Sequence, residues 1–241
     1  MKIVNDYIIK LAETLSGHWY EVTKKYTSGR KRRLGFFPSS TTILNAYPQS
    51  EFLTKWIADQ GWHESQRIKS EAGERGTRVH TGCDILEDGG VLRKDNYSLE
   101  EWSKLCTFVT WYNDYKPELI AKELAVFSQK YKYAGRVDRI YKIDGEIVVP
   151  DFKTSKNIYP HFPLQFSSYA QAIEEMTDLK IDKTAALQLG ARNKNGYRYV
   201  LYPDWRDHLK VFLNVKKTWE YDAGKQAIEQ PVLDLPKELK L

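Results

Sequence analysis

The chain has 241 residues, with 37 Lys or Arg against 32 Asp or Glu, for a formal net charge of +5. That length favours one elaborated domain with a sizeable core over two minimal ones. Two cysteines, Cys83 and Cys106, exclude a disulfide framework and a cysteine-held zinc or iron-sulfur site, and no apolar run approaches a membrane span, so the composition predicts an intracellular, cytoplasmic protein.

The opening "MKIVNDYIIKLAETL" breaks its apolar residues with Asp6, Lys10 and Glu13, unlike a signal peptide. Next comes "WYEVTKKYTSGRKRRLGFF", which reads as two short strands around a Ser28-Gly29 turn. It gathers Lys24, Lys25, Arg30, Lys31, Arg32 and Arg33, a cluster that says more about a polyanionic partner than the modest total charge does. Such a hairpin can track a phosphate backbone while Trp19, Tyr20, Tyr26 or Phe36 offers a stacking face to an unpaired base. The same segment also reads as a solvated hairpin with its aromatics turned to the core.

Residues 41–87 read as mostly helical, with capping hydroxyls in "SSTTIL" and helical spacing through "EFLTKWIADQGW" and "TRVHTGCDILE". A further helix is expected over 98–114. From Glu123 the pattern turns to strands in "KELAVFSQ", "YAGRVDRIYKI" and "GEIVVPDFK", followed by a helix after Pro163. A last hairpin turns at Asn195-Gly196, and a helix over 205–221 leads into a Pro-containing tail. The sum is a mixed α/β domain with no glycine-rich phosphate loop and no serine-nucleophile elbow.

Chemistry concentrates in "VVPDFKTSK", where an apolar strand delivers Asp151 and Lys153. Asp144-Gly145 is a strong two-residue hairpin signal, because both positions of the favoured turn need positive φ. Pairing Ile143 with Glu146 and counting outward sets Asp138 opposite Asp151, with Cβ atoms about 4.5 to 5.5 Å apart, and puts Lys153 on the same face. Two opposed carboxylates repel unless a cation compensates, and Lys153 or a divalent metal can do so. A bulge at Pro150 would shift this register. Taken alone, an Asp and a Lys two residues apart are ordinarily a surface ion pair worth little. If the loop before Tyr133 centres near Lys130-Tyr131, Glu123 at the start of its strand also lies opposite Asp138. His80 sits on the helical stretch "RGTRVHTG", and Gln165 and Tyr169, four apart, share a helix face.

In this order His80, Glu123, "GRVDRI", "DFKTSK" and "QFSSYA" resemble the RecB-like branch of the PD-(D/E)xK nuclease superfamily. The resemblance is most specific over 121–171. Upstream, "FPSSTTIL", "LTKWI" and "ERGTRVH" look like the N-terminal region of the mitochondrial genome-maintenance exonucleases and their phage relatives. It implies a restriction-endonuclease-like core, a central mixed β-sheet flanked by helices, with an N-terminal β-hairpin and helical extension. The whole chain, 1–241, would be a single nuclease domain: hairpin and helical part over 1–115, catalytic core over 116–221, tail over 222–241.

The resemblance also implies roles. Carboxylates matching Asp138 and Asp151 hold Mg²⁺ or Mn²⁺, the residue matching Phe152 contributes its backbone carbonyl, and the histidine matching His80 completes the metal shell. Lys153 positions or helps deprotonate the attacking water. Gln165 and Tyr169 support both the site and the nucleic-acid strand, and Glu123 matches an acidic position often found before Gly-x-x-Asp. Arg30, Lys31, Arg32 and Arg33, with Arg78 and Arg136, are the candidate DNA-binding cations. Independently of family, phosphodiester hydrolysis needs a nucleophile made from water, an in-line approach and neutralisation of growing charge, which hard oxygen ligands around a divalent ion supply.

The expected activity is therefore that of a metal-dependent deoxyribonuclease. More specifically, it is an exonuclease acting from free ends on single-stranded DNA, in the cytoplasm of a bacterial or phage-infected host cell, with replication or recombination proteins as potential partners. An iron-sulfur cluster, found in sister groups with four cysteines, is not expected. Two alternatives stand beside this: a non-catalytic DNA-binding protein that kept the nuclease fold, and an interaction protein with a surface charge cluster.

Overall fold

Of the N-terminal strands, the second, Trp19–Lys25, carries the clearest alternation, with every second residue of its first half buried. In the computed structural model, which describes residues 6–12 and 17–223, β1 (Tyr7–Ala12), β2 (Trp19–Lys25) and β3 (Lys31–Pro38) form an antiparallel sheet in that order. The expected hairpin is β2 with β3, turning through Gly29 at φ +78°. Tyr20 and Val22, two apart on β2, point into the core.

Four helices follow. α1 (Ser40–Leu44) starts at Ser39, whose hydroxyl accepts from the Thr42 amide at 2.9 Å. α2 (Glu51–Gln60) ends at Gly61, φ +79°, and α3 (Trp62–Glu87) runs straight on from it. α4 (Leu99–Tyr115) begins with a reciprocal capping box between Ser98 and Glu101.

The second sheet has five strands in the order β4 (Glu118–Ser128), β5 (Tyr133–Ile143), β6 (Glu146–Lys153), β7 (Lys183–Leu189), β8 (Tyr197–Tyr202). Within this sheet only β6 and β7 pair in parallel, and α5 (Phe162–Met176) makes the crossover between them. α6 (Trp205–Ala223) is the last described element, and the Pro-containing tail lies outside the described residues. β4 starts at Glu118, so Glu123 lies in mid-strand rather than at the strand's beginning as the sequence suggested.

Each face of this sheet has its own core. Val126, Val137, Ile140, Val149, Leu164, Ile173 and Phe212 belong to one, beneath α1, α5, α6 and the N-terminal sheet. Val79, Phe108, Trp111, Tyr141, Phe152 and Leu187 belong to the other, beneath α3 and α4. The architecture is thus mixed α/β, with helices on both faces of a mixed five-stranded sheet and a three-stranded sheet alongside. Among the described residues no helix is long and apolar enough to cross a membrane.

The turn between β5 and β6 has positive φ at both positions, +50° at Asp144 and +87° at Gly145, as a two-residue hairpin of this kind requires. Its register is the expected one for Ile143↔Glu146, Lys142↔Ile147 and Tyr141↔Val148. The ladder ends there. Pro150, which has no N–H to donate, lies just beyond it, and from that point β6 pairs with β7 alone. The direct opposition of Asp138 and Asp151 is therefore not a ladder pair. The gap it leaves shapes the site.

Candidate metal centre

Where β5 and β6 part, side chains take over from the ladder. Asp138 Oδ2 accepts from the Phe152 amide at 2.8 Å, and the Phe152 carbonyl lies 3.1 Å from His80 Nε2. His80 Nδ1 is 3.6 Å from Asp138 Oδ2. One imidazole on α3, one carboxylate on β5 and the backbone of β6 thus close a small ring of polar groups. Gly76, a turn before His80, permits this approach: a Cβ there would meet Thr154 Oγ1 at 3.2 Å.

Asp151 is buried at 5% exposure and pairs with Lys153, Nζ to Oδ2 at 2.6 Å. Lys153 Nζ also donates to Gln165 Oε1 at 3.1 Å, and Gln165 Nε2 donates to the Tyr169 hydroxyl at 2.8 Å. The ammonium sits over the Phe162 ring, 4.3 Å from its centroid. A continuous polar chain thus runs from β6 onto the face of α5 that Gln165 and Tyr169 share.

Burial raises the Asp138 carboxyl above its ordinary range, and the nearby Asp151 charge raises it further, against His80, Lys153 and the Phe152 amide. Tyr169 is held well above the usual phenol value by burial and by the Asp151 charge, so it stays a neutral hydrogen-bonding group at physiological pH. Glu123 is raised by burial and by Asp138 and Asp84, with Arg136 and Arg139 opposing.

Glu123 occupies a left-handed backbone conformation, φ +50°, unusual for a non-glycine residue inside a strand. Its neighbours pair as Lys122↔Arg139 and Leu124↔Val137, which is the register that brings it level with Asp138. His80, Glu123 and Asp138 each offer a ligand atom, and these three atoms lie within 4.8 Å of one another. Two carboxylates and an imidazole suit a hard to borderline divalent cation, and a bound cation would offset the burial and the Asp151 charge that lift the Asp138 carboxyl. The residues present fit a divalent metal ion.

Arg139, Asp84 and Glu87 were not among the sequence candidates. Arg139 is fully buried next to Asp138, donating from Nε to Glu87 at 2.6 Å, from Nη2 to Asp84, and from Nη1 to the Asp138 carbonyl at 2.6 Å. Burial works against its charge, and Glu87, Tyr141 and Asp84 overcome it, so Arg139 stays cationic. The pair clamps α3 to β5 and so holds His80 over Asp138. His80, Asp84 and Glu87 are spaced four and three apart, one helix face, which is the signal that would have found them.

Gly135, the glycine of "GRVD", has a packing reason to be there. A Cβ would lie 2.5 Å from Cε1 of Tyr169. Gly135→Ala is expected to push Tyr169 aside and cost about 1–3 kcal/mol of stability, read as a lowered urea midpoint. An unchanged midpoint would mean that Tyr169 is not pressed against this strand.

The candidate DNA-binding cations fall into two groups. Arg33 is paired with Glu21 at 2.8 Å, Arg78 with Glu101 at 2.8 Å, and Arg136 with Glu123 at 3.6 Å. Arg30, Lys31 and Arg32 are exposed and have no carboxylate partner among the described residues. Of the four candidate stacking rings, Tyr20 is buried, and Trp19 packs 6.0 Å from Trp219. Phe36 carries the Arg33 guanidinium at 4.5 Å, and Tyr26, 41% exposed, is the most open of the four, with the Lys24 ammonium 5.6 Å from its centroid. Cys83 is buried and Cys106 exposed, both free thiols.

No protein-family model matches the chain, and no curated protein matches it. Among solved structures it is similar to one described as "Crystal structure of SSO0001", at 15% identity over 79% of this chain and 85% of that one, with a TM-score of 0.33. A likeness that loose carries no argument about activity.

Proposed function

We propose that the protein is a divalent-metal-dependent deoxyribonuclease with a restriction-endonuclease-like core, acting as an exonuclease from free ends of single-stranded DNA. One observation carries the reading: where the β5–β6 ladder opens, His80 from α3 and Asp138 from β5 meet at the Phe152 backbone, and Asp151, Lys153 and Gln165 form a second linked set whose charges act on Asp138. Packing alone gives no reason to gather two carboxylates, an imidazole and an ammonium there, since buried charge is costly unless it is used or paired.

Asp138, Asp151, His80 and the Phe152 carbonyl would hold Mg²⁺ or Mn²⁺, with Glu123 next to them. When bound, the ion neutralises charge on the phosphate and acidifies a water. The protein's own groups then have defined tasks. Lys153, fixed by Asp151 and Gln165, holds the attacking water in line and offers positive charge to the phosphoryl oxygens. Neutral Tyr169 fixes the Gln165 amide, and Gln165 in turn fixes Lys153. Arg139 keeps α3 in register, so that His80 does not swing away.

A time course on end-labelled linear and circular DNA, single-stranded and duplex, with Mg²⁺, Mn²⁺ or EDTA, tests the reading. Expected is loss of linear single strands in either metal, sparing of circles and silence in EDTA. Metal-independent loss, or none, rejects it.

Strand binding is assigned to the N-terminal sheet. Reversing Arg30, Lys31, Arg32 and Arg33 to glutamate is expected to weaken binding in EDTA and to flatten the log-log salt slope by roughly two to three. Arg33 should contribute least, because Glu21 already neutralises it. Binding that ignores all four changes would remove the hairpin from the interface.

A further inference from the structure

Away from the metal centre, a cavity of about 370 Å³ opens where β2 and β3 meet the turn between β4 and β5. Three cations line it, Lys24 from β2, Arg32 from β3 and Lys132 from the turn. None of the three has a carboxylate partner among the described residues. Three like charges converging on one hollow repel one another, and an anion seated among them relieves this. Glu175 of α5, which faces this turn, is already committed: it accepts from the Ser128 hydroxyl at 2.8 Å, the Lys130 amide at 3.0 Å and the Gln171 amide group at 3.0 Å.

The rest of the lining is of another kind. Tyr26, Leu34 and Phe37 give an aromatic and aliphatic wall, and Gln129 adds an amide. The Lys24 ammonium lies 5.6 Å from the centroid of the Tyr26 ring, so charge and ring stand side by side. Lys132 is presented by a turn closed by its amide donating to the Ser128 carbonyl at 2.8 Å, and its φ of +58° is one that L-residues adopt at a cost. A cation cluster beside an exposed ring, in a volume within the ligand-pocket range, matches a phosphate joined to a base.

The cavity is remote from the reaction. Lys132 precedes Asp138 by six residues, which is about 20 Å at roughly 3.3 Å per residue of strand. We propose that this pocket anchors one nucleotide of a single strand several positions from the bond at the metal centre. Its phosphate rests on Lys24, Arg32 and Lys132 and its base on Tyr26. The distance to the cleaved bond rests on the nuclease reading; the affinity for a strand does not.

The test is fluorescence anisotropy of a labelled oligothymidylate in EDTA, where cleavage plays no part, on variants shown to be folded by circular dichroism. Replacing Lys24, Arg32 and Lys132 together by alanine is expected to weaken binding by about ten-fold or more and to lower the salt slope by roughly two. A control with Lys142, Lys194 and Lys217 replaced by alanine removes the same charge elsewhere and is expected to cost about two-fold or less. Tyr26→Ala is expected to weaken binding by about five-fold or more and Tyr26→Phe to restore it. A pocket variant no weaker than the control, or Tyr26→Phe as weak as Tyr26→Ala, overturns the proposal. So does thymidine monophosphate binding as tightly as the strand, which would make this a free-nucleotide site. Intact binding in a protein that never cleaves with Mn²⁺ would instead sink the nuclease reading and leave the anchor standing.

Discussion

Asp151→Ala is expected to lower metal-dependent cleavage by at least about 10²–10³-fold while leaving strand binding in EDTA unchanged or tighter. Two consequences follow from the one carboxylate. The proposed metal centre loses a ligand, and Lys153 loses the anchor that holds its ammonium at 2.6 Å. Binding survives because the residue removed is an anion, and an anion facing a phosphate only repels it. Lys153→Met separates the two effects: it keeps the carboxylates, so Mn²⁺ affinity should stay close to that of the wild type while turnover falls by about 10²-fold. Cleavage by Asp151→Ala within a few-fold of the wild type would place the chemistry elsewhere in the protein.

Asp138→Asn is expected to stabilise the metal-free protein near pH 8 and to abolish its stabilisation by Mn²⁺. The folded state raises the Asp138 carboxyl through burial and the Asp151 charge. Between the ordinary carboxylate range and that raised value, the folded state holds a proton that the unfolded chain has released. Stability of the metal-free protein therefore falls as pH rises through this window and levels off above it, by about 1.4 kcal/mol for each pH unit the window spans. Asparagine carries no such cost and can still accept from the Phe152 amide. Each kcal/mol is worth about 2–4 °C for a chain of this size. Mn²⁺ at about 100 times its dissociation constant should add about 2.7 kcal/mol to the wild type and nothing to the variant. Melting curves at pH 5 and pH 8, with and without Mn²⁺, read both effects. A variant less stable than the wild type at pH 8, or one still stabilised by Mn²⁺, contradicts the assignment.

The elements around the site were legible because their signals are local. Asp144-Gly145 sets a turn that needs positive φ twice, and the strands on either side, Tyr133–Ile143 and Glu146–Lys153, carry β-branched and aromatic residues between their charged ones. The start of α1 was legible through the hydroxyls of "SSTTIL", where Ser39 caps; Ser50 and Ser98 cap α2 and α4 in the same way and were not singled out. β1 was not, because "YIIKLA" shows no alternation and its partner supplies the reason for extension. The exact face-to-face placement of Asp138 and Asp151 was overdrawn: a register extrapolated from a turn assumes that the ladder continues, and Pro150 sits where it stops. Period-two alternation also distinguishes the aromatics of β2, since Tyr20 shares the buried face with Val22, whereas Tyr26 lies beyond the strand. Arg139 escaped notice because a charged residue beside a candidate ligand reads as solvent-facing until the acidic face of α3 is set against it.

The most direct measurement is a crystal of the protein grown with Mn²⁺ and read by anomalous diffraction at the manganese edge. The account expects one strong peak within coordination distance of Asp138, Asp151 and the Phe152 carbonyl, with His80 facing it, and no such peak in crystals of Asp138→Asn. A wild-type crystal with no manganese among these groups, or with its manganese held elsewhere, would contradict the claim that the opening between β5 and β6 is a metal centre.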